Sequence, residues 1–150
     1  MIQRFETFVG LISQLQKDIQ KMKNIEMQEF GLKGPHVMCL YYLNKHQTGL
    51  TATQLCKLAS VDKAAISRIL ADLFEKGYIY YPEKQEGKKY KASAVLTEAG
   101  TKIAMQVTEI ICTMVASLGD GITEEERICM YRSLEKISEN INHALQKVKP

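Results

Sequence analysis

Residues 51–79 read TATQLCKLASVDKAAISRILADLFEKGYI. Thr51 and Gln54 make a T-x-x-Q capping box, in which each side chain satisfies the other residue's backbone N–H. The box predicts a short helix whose apolar face is Leu55, Leu58 and Ala59. Ser60-Val61 reads as a tight turn, and Asp62 is of the residue type that caps a helix start. In the helix that follows, Ile66, Ile69, Leu70 and Leu73 recur at three and four residues, the spacing of one buried face. Gly77 stands where a helix ends in a left-handed residue. This leaves Lys63, Ala64, Ser67 and Arg68 on the outward face. Two short helices joined by a few residues describe a helix–turn–helix.

The chain on either side completes the picture. Tyr78-Ile79-Tyr80-Tyr81 is aromatic and β-branched, Pro82 limits it, Gln85-Glu86-Gly87-Lys88 is turn chemistry, and Ala92 to Leu96 reads as a returning strand. The hairpin tip carries Lys84, Lys88, Lys89 and Lys91 against Glu83 and Glu86. Upstream, Gly31, Gly34 and Pro35 mark a turn, and Pro35 suits the first turn of a helix through Val37, Leu40, Tyr41 and Leu43 to about His46. Before it, Ile2, Phe5, Val9, Ile12, Leu15, Ile19, Met22 and Ile25 form a stripe on a helix of roughly 38 Å at 1.5 Å per residue. Thr97 caps a fifth helix bearing Ile103, Val107, Ile110, Ile111, Met114 and Leu118, closed by Gly119 and Gly121. Thr123 and Glu126 make a second capping box, opening a last helix striped with Tyr131, Leu134, Ile137, Ile141, Leu145 and Val148.

The expected fold is mainly α with a small β-hairpin wing (α+β): a winged helix–turn–helix flanked by N- and C-terminal dimerisation helices. Residues 1–150 form one domain, with 34–97 as the winged-helix lobe and 1–30 and 98–150 as the helical dimerisation lobe. The terminal stripes are long, and one copy has little core left to cover both. A second copy would bury them, whereas an intramolecular antiparallel pair is the plainer alternative.

Composition sets bounds. The chain has 150 residues, 45% apolar and 25% charged, which is ordinary for a globular domain and excludes a disordered, collagen-like or disulfide-stapled chain. No apolar run approaches the roughly 18 residues of a membrane span, and the N-terminus lacks an export signal, so a soluble cytoplasmic protein without a membrane partner is expected. Cysteines fall at 39, 56, 112 and 129, no two closer than 17 residues, and read as free thiols. Histidines 36, 46 and 143 are scattered, so neither a metal site nor any cofactor is expected. The chain also lacks a Gly-rich phosphate loop, a nucleophile elbow and a zinc-protease helix, and it is not read as an enzyme. The net charge is +3, and residues 57–91 hold eight Lys/Arg against five Asp/Glu, a weak footprint for a polyanion.

Leu50-Thr51-Ala52-Thr53-Gln54-Leu55, Asp62-Lys63-Ala64-Ala65-Ile66-Ser67-Arg68, Leu73-Phe74-Glu75-Lys76-Gly77-Tyr78-Ile79 and Leu96-Thr97-Glu98-Ala99-Gly100 resemble the multiple-antibiotic-resistance regulator (MarR) family. Their order and the flanking long helices extend the resemblance over essentially the whole chain. It implies a homodimeric, sequence-specific regulator of transcription, by expectation a repressor, on a pseudo-palindromic double-stranded operator. It further implies a recognition helix in the major groove, a wing on the backbone or minor groove, and a pocket for a small aromatic or anionic effector. The chain departs from the family at the wing. Lys88 and Tyr90 stand where an Asp and an Arg usually brace it, which leaves the wing's placement open.

The expected DNA-contacting residues are Thr51, Thr53, Lys63, Ala64, Ser67, Arg68, Lys88, Lys89 and Lys91. Arg can address guanine O6 and N7 with both arms of its fork, and Ser can bond a base or a phosphate. The plainer reading of the same residues is a solvated helix face and hairpin tip. Ile12, His36, Cys39 and Leu40 are the expected effector-pocket residues. The plain reading of His36 is a partly exposed histidine capping a turn, and that of Cys39 is core. The alternative function is a winged-helix dimerisation or protein-interaction module without DNA binding.

Overall fold

The computed structural model describes residues 1–82 and 92–148. Among them the chain runs α1 (Ile2–Met27), a 3-10 turn (Gln28–Phe30), α2 (Gly34–Lys45), α3 (Ala52–Ala59), α4 (Lys63–Glu75), β1 (Ile79–Tyr80), β2 (Val95–Leu96), α5 (Glu98–Leu118) and α6 (Glu124–Val148). The fold is the expected one, largely helical with a single small antiparallel ladder. The chain divides into two compact units, Met1–Ile111 and Cys112–Pro150.

The helix boundaries follow from local chemistry. Thr51 Oγ1 accepts from Gln54 N–H at 3.3 Å while Thr51 N–H donates to Gln54 Oε1 at 2.8 Å, so two donors without a partner inside the helix are satisfied at the start of α3. Asp62 Oδ1 accepts from Ala65 N–H at 2.9 Å and caps α4. The turn between them is closed by Ser60 at φ 53°, a left-handed conformation unusual for a residue with a side chain. At the far end of α4, Gly77 N–H donates to Phe74 O and Tyr78 N–H to Leu73 O, the paired bonds of a Schellman ending, with Gly77 at φ 71°.

In the first unit the core is built from Met27, Leu32, Val37, Leu40, Leu43, Leu55, Ile66, Leu70, Leu73, Ile79 and their neighbours. α4 contributes the four apolar residues expected of it, Ile66, Ile69, Leu70 and Leu73. Cys39 is fully buried here, and burial, with Cys56 nearby as a smaller influence, pushes its thiol up to about 12. It is therefore a core side chain rather than a nucleophile. All four cysteines are free.

The hairpin departs from expectation in two ways. The paired strands are two residues each, Ile79 opposite Leu96 and Tyr80 opposite Val95, rather than the longer runs 78–81 and 92–96. A further pairing joins Leu50 to Ala94, each N–H donating to the other's carbonyl at 3.0 and 2.9 Å. The residue just before α3 thus borders the base of the wing.

The wing's return is locked down by Leu96-Thr97-x-x-Gly100. Thr97 N–H donates to Tyr78 O at 3.0 Å, and its hydroxyl donates to Gly77 O at 2.7 Å while accepting from Gly100 N–H at 3.0 Å. A Cβ on Gly100 would lie 1.9 Å from Tyr78 O, so only glycine lets α5 start this close to the end of α4. By length and composition α5 is long and apolar enough to cross a membrane, contrary to the expectation that no segment is. Its Gly100, Ala104 and Val107 are packed into the core, with Ile103, Ile110 and Ile111 against it, while Met105, Val115 and Leu118 are exposed.

In the second unit, Thr123 and Glu126 form the expected capping box: Thr123 N–H donates to Glu126 Oε2 at 2.9 Å, and Glu126 N–H to Thr123 Oγ1 at 3.3 Å. Hydrogen bonds from the Thr123 backbone and hydroxyl hold the Glu126 carboxyl below the usual carboxylate range. Among the described residues of α6 no side chain is buried, and Ile128, Tyr131, Leu134, Ile141 and Leu145 are exposed.

Gly100→Ala is expected to cost about 3 kcal/mol or more, because the added methyl meets a fixed backbone carbonyl. Gly77→Ala, with open space around it and only its positive φ to strain it, is expected to cost about 1–2 kcal/mol. Urea unfolding of the two variants checks the difference; equal midpoints would contradict the close-approach account.

Candidate nucleic-acid interface

α4 sorts its residues by face. Lys63, Ala64, Ser67 and Arg68 are all exposed while Ile66, Ile69, Leu70 and Leu73 are buried. Ser67 donates its hydroxyl to Lys63 O at 2.8 Å, and Arg68 Nε donates to Ala64 O at 3.3 Å. Both bonds lie along the helix itself and hold the side chains against its surface, with the guanidinium's outer nitrogens beyond them. Thr51 and Thr53, on the neighbouring α3 start, are half-buried, and Thr51 is committed to the capping box. The six expected contact residues that are described therefore lie on α4 and on the segment opening α3. Lys88, Lys89 and Lys91, with Tyr90, lie outside the described residues.

A cleft of about 500 Å³ opens beside α4, lined by Gly31, Lys33, Pro35, His36, Ala65, Arg68, Ile69 and Asp72. Of the four residues expected around an effector, His36 alone stands on its wall. Cys39 and Leu40 are fully buried in the core, and Ile12 lies 40% exposed on the α1 stripe. His36 is not the partly exposed residue its plain reading suggests: it is buried, 6% exposed. It does cap its turn, since the Lys33 N–H lies 3.2 Å from its Nδ1. Its Nε2 lies 2.7 Å from Asp72 Oδ2 on α4. Among the described residues no cluster of His, Cys, Asp or Glu is arranged to hold a metal ion.

The sequence gives no sign of the His36–Asp72 pair or of the wall formed by Lys33. The two partners lie on different helices far apart in the chain, and no local spacing rule connects them. Caps and apolar periodicity report only what happens within a helix and its immediate neighbours.

Known proteins resemble the chain in sequence and in fold. The family model described as "MarR family" matches residues 30–89. A MepR–DNA complex from S. aureus superimposes with a TM-score of 0.81 at 23% identity, covering 91% of this chain and 97% of that one. A MarR family transcriptional regulator of Listeria monocytogenes complexed with a 26mer DNA gives 0.80 at 21% identity, covering 95% of both chains. A MarR transcriptional regulator from Methanosarcina mazei gives 0.76 at 21% identity, over 93% and 92%. The sequence match covers residues 30–89, and over nearly its whole length the chain has the winged-helix fold of these MarR structures.

Proposed function

We propose that the protein is a sequence-specific, double-stranded-DNA-binding regulator of transcription, a cytoplasmic repressor that binds a pseudo-palindromic operator as a homodimer. The observation that carries this reading is the outward face of α4, where Lys63, Ser67 and Arg68 stand exposed opposite a fully apolar buried face. A helix presented in this way, with a hairpin directly behind it, fits the major groove with the wing on the flanking backbone. The MarR family match and the DNA complexes among its structural neighbours support the same reading. Under it the protein is a binding protein rather than an enzyme.

The dimer is supported by what the helices leave uncovered. α1 exposes Phe5, Val9, Leu11, Ile12 and Leu15, and its only buried residue is Met27. α6 exposes six large apolar side chains along its described length. Helices of this length gain most of their stability from a packed apolar face, and such faces on a soluble chain mark contact surfaces. In this reading residues 1–30 and 98–150 serve dimerisation and 34–97 serves DNA. An effector, small and aromatic or anionic, would release the operator only by binding the DNA-free state more tightly.

Arg68→Ala is expected to cost about 1–3 kcal/mol on the operator and to relax preference at one position per half-site. The triple variant Lys88, Lys89 and Lys91→Gln is expected to weaken operator and random DNA alike. It should also flatten the slope of log affinity against log salt by about one unit per lost phosphate contact, doubled in the dimer. Titrations of operator and random duplexes across a salt series check both; no binding to duplex DNA would favour a module that does not bind DNA, and an unchanged slope in the triple variant would contradict the wing's phosphate contacts. Ile12→Glu or Ile141→Glu is expected to yield monomers with lost DNA affinity, read by light scattering. A wild-type monomer at micromolar concentration would contradict the dimer.

A further inference from the structure

His36 is the one buried polar side chain among the described residues, and a buried imidazole costs free energy unless its nitrogens are partnered. Its Nδ1 sits between the Lys33 N–H at 3.2 Å and the Lys33 carbonyl at 3.1 Å. The neutral ring can accept from the first and the charged ring can donate to the second, so the ring is tied to the start of α2 in either state. The other edge reaches α4: Nε2 is 2.7 Å from Asp72 Oδ2, held by charge and proximity rather than by a well-aligned hydrogen bond. The second oxygen of Asp72 lies 4.0 Å from Lys76 Nζ, and Lys33 and Arg68 complete the charged groups around the cleft.

Apart from the hydrogen bonds at its C-terminal end, α4 is seated on the lobe by its buried apolar side chains. Ile66, Ile69, Leu70 and Leu73 fix how deep the helix lies, but apolar burial has no direction and resists rotation about the helix axis weakly. The His36–Asp72 contact instead ties one point on the side of α4 to the start of α2, and Asp72 follows Arg68 by four residues, so the two share one side of α4. We propose that His36 is a positioning residue for base readout: through Asp72 it sets the rotation of α4 and thereby where Arg68 and Ser67 point. The inference rests on the DNA-binding reading and goes beyond it, because it separates discrimination between sequences from affinity for DNA as such. Phosphate contacts tolerate small rotations, whereas a bidentate contact to a base edge does not.

The experiment uses full-length protein, a duplex enriched by the wild type from a randomised pool, and a scrambled duplex of the same composition. His36→Ala is expected to lower affinity for the enriched duplex about tenfold, the scale of one lost bond to a charged group. Affinity for the scrambled duplex is expected to stay within about twofold, since it depends on phosphate contacts. Asp72→Asn, a change at a side chain 39% exposed and safe for folding, should lower the ratio in the same direction. His36→Gln, which keeps an N–H donor near Asp72, should restore part of it. The double variant His36→Ala with Asp72→Ala should be no worse than the poorer single one. Parallel loss on both duplexes, or an unchanged ratio in both single variants, would overturn the positioning role. A wild type that enriches no sequence would instead overturn the DNA-binding reading itself.

Discussion

The close approach of α5 to the end of α4 is the constraint on which the rest of the winged-helix lobe depends. Gly100 has no side chain because the carbonyl of Tyr78 occupies the space, and Thr97 spends both its backbone N–H and its hydroxyl on Tyr78 and Gly77. The strand that returns from the wing is thereby fastened to the last residues of α4. Its partner strand begins two residues after Gly77, and Leu50, just before α3, pairs with Ala94 on the same return. The helix–turn–helix and the base of the wing are consequently tied together by hydrogen bonds at the end of the helix that carries Arg68. Without that clamp a ladder of two residues per strand would have little to hold it, since short isolated hairpins are marginal in water.

Two kinds of surface result, and they differ in what they can do. The outward face of α4 is polar and short, suited to a partner read by hydrogen bonds and charge. The stripes on α1 and α6 are apolar and long, suited to a partner recognised by shape and the exclusion of water. One chain carrying both is expected where binding to a two-fold target requires two copies at fixed spacing.

Much of this was legible in the sequence because it is set locally. Thr51–Gln54, Asp62 and Thr123–Glu126 are caps whose partners lie three residues away, and the structure makes those bonds as the spacing predicts. The buried face of α4 follows from a periodicity that any helix imposes. Non-local features were not legible. The Leu50–Ala94 bridge rests on a single residue with no alternation to announce a strand, and the His36–Asp72 pair joins residues 36 positions apart. The cleft beside α4 was missed for the same reason, because its walls come from the turn before α2 and from α4 together. The apolar character of α5 was underestimated because its scattered polar residues interrupt every run without much lowering the average.

In the proposed regulator α4 reads double-stranded DNA in two-fold-related copies. A hydroxyl-radical footprint of the full-length protein on DNA upstream of its own coding sequence tests it most directly. The account predicts two protected patches related by a two-fold axis, their centres about one duplex turn, roughly 34 Å, apart. Uniform partial protection along the fragment, or a single patch without inverted symmetry, would contradict it.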